Sequence, residues 1–174
     1  MIKRYRFFFI TVVLLAILFL INRELGLKAV NITGYSFIEM ASIIPPIFLL
    51  SGLLDAWVPR ETMIKYMGEK SGIMGIVLSF VIGSAAAGPL YGAFPIAAVF
   101  MKKGVKFTNV LIFIGAWSTT KIPMFLFELS SLGTKFAVTR LLVDIPGIII
   151  IAFLLSRFIP EEEIENIYIE AESL

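Results

Sequence analysis

Apolar residues in this chain come in runs of membrane-crossing length, with most of the charge in the intervals between them. The apolar stretches are Phe7–Ile21, Ser36–Leu54, Gly72–Met101, Thr108–Leu129 and Arg140–Phe158, and the polar intervals cover 22–35, 55–71, 102–107, 130–139 and 159–174. A helix of about 20 residues, rising about 1.5 Å per residue, matches the roughly 30 Å of bilayer hydrocarbon. The pattern predicts an all-α integral membrane protein with about four to five transmembrane helices.

Gly72–Met101 departs from this pattern. It carries no charge, yet a continuous helix of its length would run to about 45 Å. Its middle also collects Gly83, Gly88, Pro89, Gly92 and Pro95, which disfavour helix. A break is expected there, either as a re-entrant hairpin or as one discontinuous span. Unpaired backbone inside hydrocarbon costs several kcal/mol per group, so the break should be enclosed by protein or line a cavity. Close packing of helices on small residues, with no solute involved, is the competing reading of these glycines.

The other runs carry fewer irregularities. Phe7–Ile21 follows Lys3, Arg4 and Arg6 and reads as a transmembrane helix with a cytoplasmic N-terminus. A cleaved signal peptide would share the basic start, but no convincing small-x-small site follows. Residues 22–35, mixed in charge and holding Gly26 and Gly34, read as a loop. Ser36–Leu54 contains Glu39 and the pair Pro45-Pro46, which should kink or unwind it. Between 55 and 71, Met63, Tyr66 and Met67 at helical spacing suggest a short amphipathic helix. The 159–174 segment is acidic and is expected to be solvated and partly disordered.

Charge placement bears on topology. If Gly72–Met101 crosses once, basic residues divide almost evenly between the two sides. If it is re-entrant, Lys102, Lys103, Lys106 and Arg157 join the side of the N-terminus. The positive-inside rule thus favours four spans (about 7–21, 36–54, 108–129 and 140–158) plus a hairpin at 72–101, with both termini cytoplasmic.

Composition narrows the function. The chain of 174 residues is 59% hydrophobic and only 16% charged, against about 25% charged in soluble domains. There is room for one membrane domain, 1–158, and a tail. Cysteine and histidine are both absent, which excludes disulfides, thiolate chemistry, Cys/His metal sites and Ser/His/Asp catalysis. No phosphate-binding glycine loop is present, and basic residues are too scattered for a nucleic-acid surface. Neither a cofactor nor a metal is expected.

Lys121 is the sharpest candidate residue. A lysine near the centre of a membrane segment costs about 2.5–3.5 kcal/mol on insertion scales. With Ser118, Thr119 and Thr120 beside Pro123, it suits a small anion or polar solute. Alternatively it pairs with Glu39 or Glu128 and serves assembly, although Pro123 and two helical turns separate it from Glu128. Arg140 and Asp144, at i and i+4, read as a structural pair. Glu39 is either a buried coupling carboxylate or an interfacial charge.

The motifs GSAAAGPLYGAFPIAAVFMKKGV (Gly83–Val105) and WSTTKIP (Trp117–Pro123) resemble the predicted-permease family of YraQ-like and ArsP-like proteins over about residues 45–158. The resemblance implies transport of a small solute or ion across the cytoplasmic membrane. The expected substrate contacts are Gly88, Pro89, Gly92, Pro95 and Ser118–Lys121, where Gly83–Pro95 and Ser118–Pro123 would meet near the membrane midplane. Family members usually carry two such repeats, so this single repeat implies a homodimer. One branch exports organoarsenicals using cysteines near the motif matching Pro89–Pro95. Here those positions hold Leu90, Tyr91, Gly92, Ala93 and Phe94, so a thiolate mechanism does not carry over. The competing expectation is a non-transporting membrane subunit or assembly factor. An intramembrane enzyme is the weakest reading, because nucleophile-base pairs are missing.

Overall fold

The computed structural model describes residues 5–86 and 88–172, so Lys3, Arg4 and Ala87 lie outside the described residues. The described chain is helical, with no strand. In order it comprises α1 (Arg6–Ile21), α2 (Arg23–Trp57), α3 (Arg60–Met67), α4 (Gly72–Ala85), a 3-10 turn at Leu90–Gly92, α5 (Ala93–Lys102), α6 (Phe107–Thr119), α7 (Ile122–Ser131), α8 (Thr134–Phe158) and α9 (Glu161–Glu172). Arg23–Trp57, Phe107–Ser131 and Thr134–Phe158 are each long and apolar enough to cross a membrane.

The chain divides into two compact units, Met1–Pro45 and Pro46–Leu174. In the first, the expected loop at 22–35 is corrected: only Asn22 interrupts the helices. Its side-chain Oδ1 accepts a hydrogen bond from the Leu25 amide at 3.1 Å, capping the start of α2. Gly26 permits a close approach here, since a Cβ on it would lie 2.6 Å from the Phe19 Cα. The expected unwinding at Pro45-Pro46 is corrected too, because α2 is helical through both prolines. Glu39 lies on α2 and is exposed.

The second unit is built on α6. Its buried core joins Met63, Met67, Ile96, Ala97, Phe100, Val105, Val110, Phe113 and Trp117. A smaller cluster sets Ile112 against Ile148 and Ala152 of α8. Helices α4 and α6 pack closely along Gly75, Ser79 and Gly83, all buried. A Cβ on Gly83 would come within 2.5 Å of the Phe113 carbonyl oxygen. Small residues four apart make one smooth stripe on a helix and let the neighbouring backbone approach.

Hydrogen bonds define the chain path. The Met67 carbonyl, just before α4, accepts from the Lys106 amide at 3.0 Å and from Asn109 Nδ2 at 2.8 Å. Lys106, just after α5, also pairs with Glu69 at 2.9 Å. The start of α4 and the end of α5 therefore lie at the same end of the unit, and the chain doubles back between them. Helices α6 and α7 continue away from that end and α8 returns, with Thr108 Oγ1 donating to Ser156 Oγ at 2.9 Å.

Two charged segments take part in the packing. Lys103 of the basic turn is buried, and its Nζ donates to the Asp55 and Val58 carbonyls at 2.6 and 2.7 Å, holding the end of α2. The acidic tail, expected to be partly disordered, instead forms α9. Tyr168 on α9 donates to the Val105 carbonyl at 2.6 Å and Ala171 is buried, so an apolar face hidden among glutamates supplies the packing.

Candidate functional site

Two interrupted helices meet inside the second unit. The first interruption lies between α4 and α5. Gly88 takes φ +109°, a conformation that favours glycine. Pro89 follows in extended conformation, and the 3-10 turn leads into α5. Pro95 falls in the first turn of α5, where a missing amide hydrogen costs no helical bond. The second interruption is Thr120 and Lys121, between α6 and α7, with Pro123 in the first turn of α7.

The first break turns the Gly88 and Pro89 carbonyls towards the second break and the end of α6, which supply side-chain donors to them. Lys121 Nζ donates to the Gly88 carbonyl at 2.8 Å, and Trp117 Nε1 donates to the Pro89 carbonyl at 3.2 Å. The Ser84 and Thr120 hydroxyls bond at 3.0 Å, and the Thr120 hydroxyl reaches the Ala116 carbonyl at 3.1 Å. Trp117 near the end of α6 and Lys121 just beyond it thus hold the two adjacent carbonyls.

The remaining expected site residues divide. Ser118 and Thr119 turn their hydroxyls back onto the Gly115 carbonyl, at 2.8 and 3.0 Å. Both line a cavity of about 300 Å³ with Ile148 and Ala152. Gly92 is buried with Trp117 and Ile47 close by. Pro95 lines a separate cleft of about 470 Å³ with Phe48, Ser51 and Lys102. Gly88, Pro89, Thr120 and Lys121 thus form the junction itself, and the others lie around it.

Of the expected charge pairs, Arg140–Asp144 forms and Lys121–Glu128 does not. Glu128, buried, pairs with Arg140 rather than with Lys121. Arg140 also donates to the Thr119 carbonyl and faces Asp144 Oδ2 at 3.2 Å, an ion pair without the geometry of a hydrogen bond. One guanidinium therefore ties the end of α6, the body of α7 and its own helix together. Lys121 forms no ion pair among the described residues; its charge rests on a carbonyl dipole.

Sequence reasoning missed Trp117 and Ser84. Trp117 sits inside an apolar stretch rather than at its rim, where indoles usually settle at the interface, and that was the available signal. Ser84 follows Gly83 directly, inside the break already suspected.

Among the described residues, three helical stretches of membrane length and two facing helix breaks define a membrane protein with irregular backbone among its helices. The model of the family described as predicted permease, ArsP_1, matches residues 26–173. The chain belongs to this family, and the protein is a membrane transporter. No curated protein and no solved structure matches it.

Proposed function

We propose that this permease carries a small polar or anionic solute across the cytoplasmic membrane, at the junction of the two helix breaks. The observation that carries the reading is Lys121: a cation within the membrane-length stretch Phe107–Ser131 whose partner is the Gly88 carbonyl. In hydrocarbon a charge without a counter-charge is unfavourable, and an anion arriving at the junction would supply one. Gly88 and Pro89 offer backbone contacts, and Ser118–Thr120 offer hydroxyls, once local bonds exchange. In this reading α4 and α5 form a re-entrant hairpin, both termini are cytoplasmic, and no cofactor takes part.

We further propose that the working form is a homodimer. At the break Ala85, Leu90, Tyr91 and Phe94 are exposed, and broken backbone at membrane depth requires a protein cover. A second copy over this surface would supply it.

The test is flux of small oxyanions and carboxylates into proteoliposomes. Lys121→Met should abolish uptake while the protein stays folded and assembled, and Lys121→Arg should keep part of it. The hydrogen bonds from Lys121 and Trp117 favour one competing reading, a non-transporting subunit in which the junction only holds the fold. Under that reading Lys121→Met would weaken the oligomer or the fold, and the wild-type protein would transport none of the panel.

A further inference from the structure

A large cavity lies away from the junction. About 1070 Å³ opens at the end of the second unit where α6 begins and α8 finishes, closed on one side by α9. Its wall towards α8 is apolar, with Ile150, Phe153 and Leu154 about half exposed. Its rim holds Lys106, Arg157, Glu69, Glu161 and Glu165. Glu69 and Lys106 neutralise each other at 2.9 Å. That leaves Arg157, in the last turn of α8, facing a cleft shared with Glu161 and Glu165 of α9, all three exposed.

The arrangement of charge along this cleft selects its occupant. Arg157 ends a membrane-length helix, so it stands at the level where hydrocarbon gives way to headgroups. Below it the wall is apolar and suits acyl chains. Beside it a guanidinium matches a phosphodiester, and beyond that two carboxylates match a primary ammonium with three donors. A purely anionic headgroup would place its charge against two glutamates. A choline headgroup would offer them no N–H.

We propose that this cleft binds an aminophospholipid of the phosphatidylethanolamine type. Its phosphate lies on Arg157, its ammonium between Glu161 and Glu165, and one acyl chain along Ile150, Phe153 and Leu154. The lipid joins α8 to α9 at the end of the unit. This site is independent of the transport reading.

Native mass spectrometry of the protein released from nanodiscs with equal phosphatidylethanolamine, phosphatidylglycerol and phosphatidylcholine tests it. The wild-type protein should retain phosphatidylethanolamine about fivefold over either competitor, the scale of one headgroup charge contact. Arg157→Gln, and separately Glu161→Gln with Glu165→Gln, should each remove that preference while the circular dichroism spectrum is unchanged. Equal retention of phosphatidylcholine, or preference for phosphatidylglycerol, by the wild-type protein overturns the proposal whether or not the variants fold. So does a preference that survives both substitutions.

Discussion

The same two residues, in opposite order, have opposite effects in this molecule. Pro146-Gly147 lies in the interior of α8, and the helix runs through it from Thr134 to Phe158. At Gly88-Pro89 the chain leaves helical geometry altogether. A proline in a helix interior removes one hydrogen bond and crowds the carbonyl four residues back, here that of Leu142. Among the described residues no side-chain donor reaches the Leu142 carbonyl, and the helix continues through the proline. At Gly88-Pro89 the freed carbonyls face Lys121 and Trp117, two donors on the neighbouring segment. A membrane helix breaks where another element can satisfy the break, and carries its proline where none can.

Substitutions can test that contrast. The largest effect is expected from Arg140→Met. It leaves Glu128 buried without its partner and frees the end of α6, so stability should fall by about 3–5 kcal/mol, read as a lower unfolding midpoint in detergent. Unchanged stability would mean that the second break is held from elsewhere. Next, Trp117→Phe keeps the ring and removes one of the two donors on the Pro89 carbonyl, which still accepts from the Gly92 amide at 3.1 Å, for an expected loss of about 0.5–1.5 kcal/mol. Pro146→Ala, by contrast, should be neutral or stabilising by thermal unfolding. Equal losses from these two would end the distinction drawn between the prolines.

The smallest expected loss concerns α9, attached through the Tyr168 hydrogen bond to the Val105 carbonyl and through buried Ala171. Burial, and secondarily the charge of Glu69, push the Tyr168 phenol up to about 12 from its ordinary 10. The neutral phenol is the form the folded state favours. Its contribution is therefore complete below pH 10 and is lost as pH rises through about 12. Tyr168→Phe should cost about 0.5–1.5 kcal/mol near neutral pH. The gap between wild type and variant should close in strongly alkaline buffer, by tryptophan fluorescence or hydrogen exchange of α9.

Much of this architecture is legible in the chain. Runs of membrane length need no partner to be recognised, because hydrocarbon thickness sets their length. Five helix breakers within Gly83–Pro95 and the hydroxyls and lysine at Ser118–Lys121 marked both interruptions in advance. Errors fell where local composition misleads. Gly26 and Gly34 suggested a loop, but a single Asn22 cap suffices to restart the helix. Six glutamates suggested disorder, but Tyr168 and Ala171 lie on the face of α9 that packs.

By itself, then, the sequence determined the membrane class, the placement of the apolar stretches and the two sites where helix fails. These follow from properties each residue carries with it: hydropathy, a missing amide hydrogen, or freedom at positive φ. Only the tertiary structure decided that Lys121 answers Gly88, that Trp117 answers Pro89, and that Arg140 rather than Lys121 neutralises Glu128. The physical reason is that a hydrogen-bond partner is chosen by proximity in three dimensions. Residues 28 to 33 positions apart were brought within 2.8 to 3.2 Å by the packing of α4 against α6.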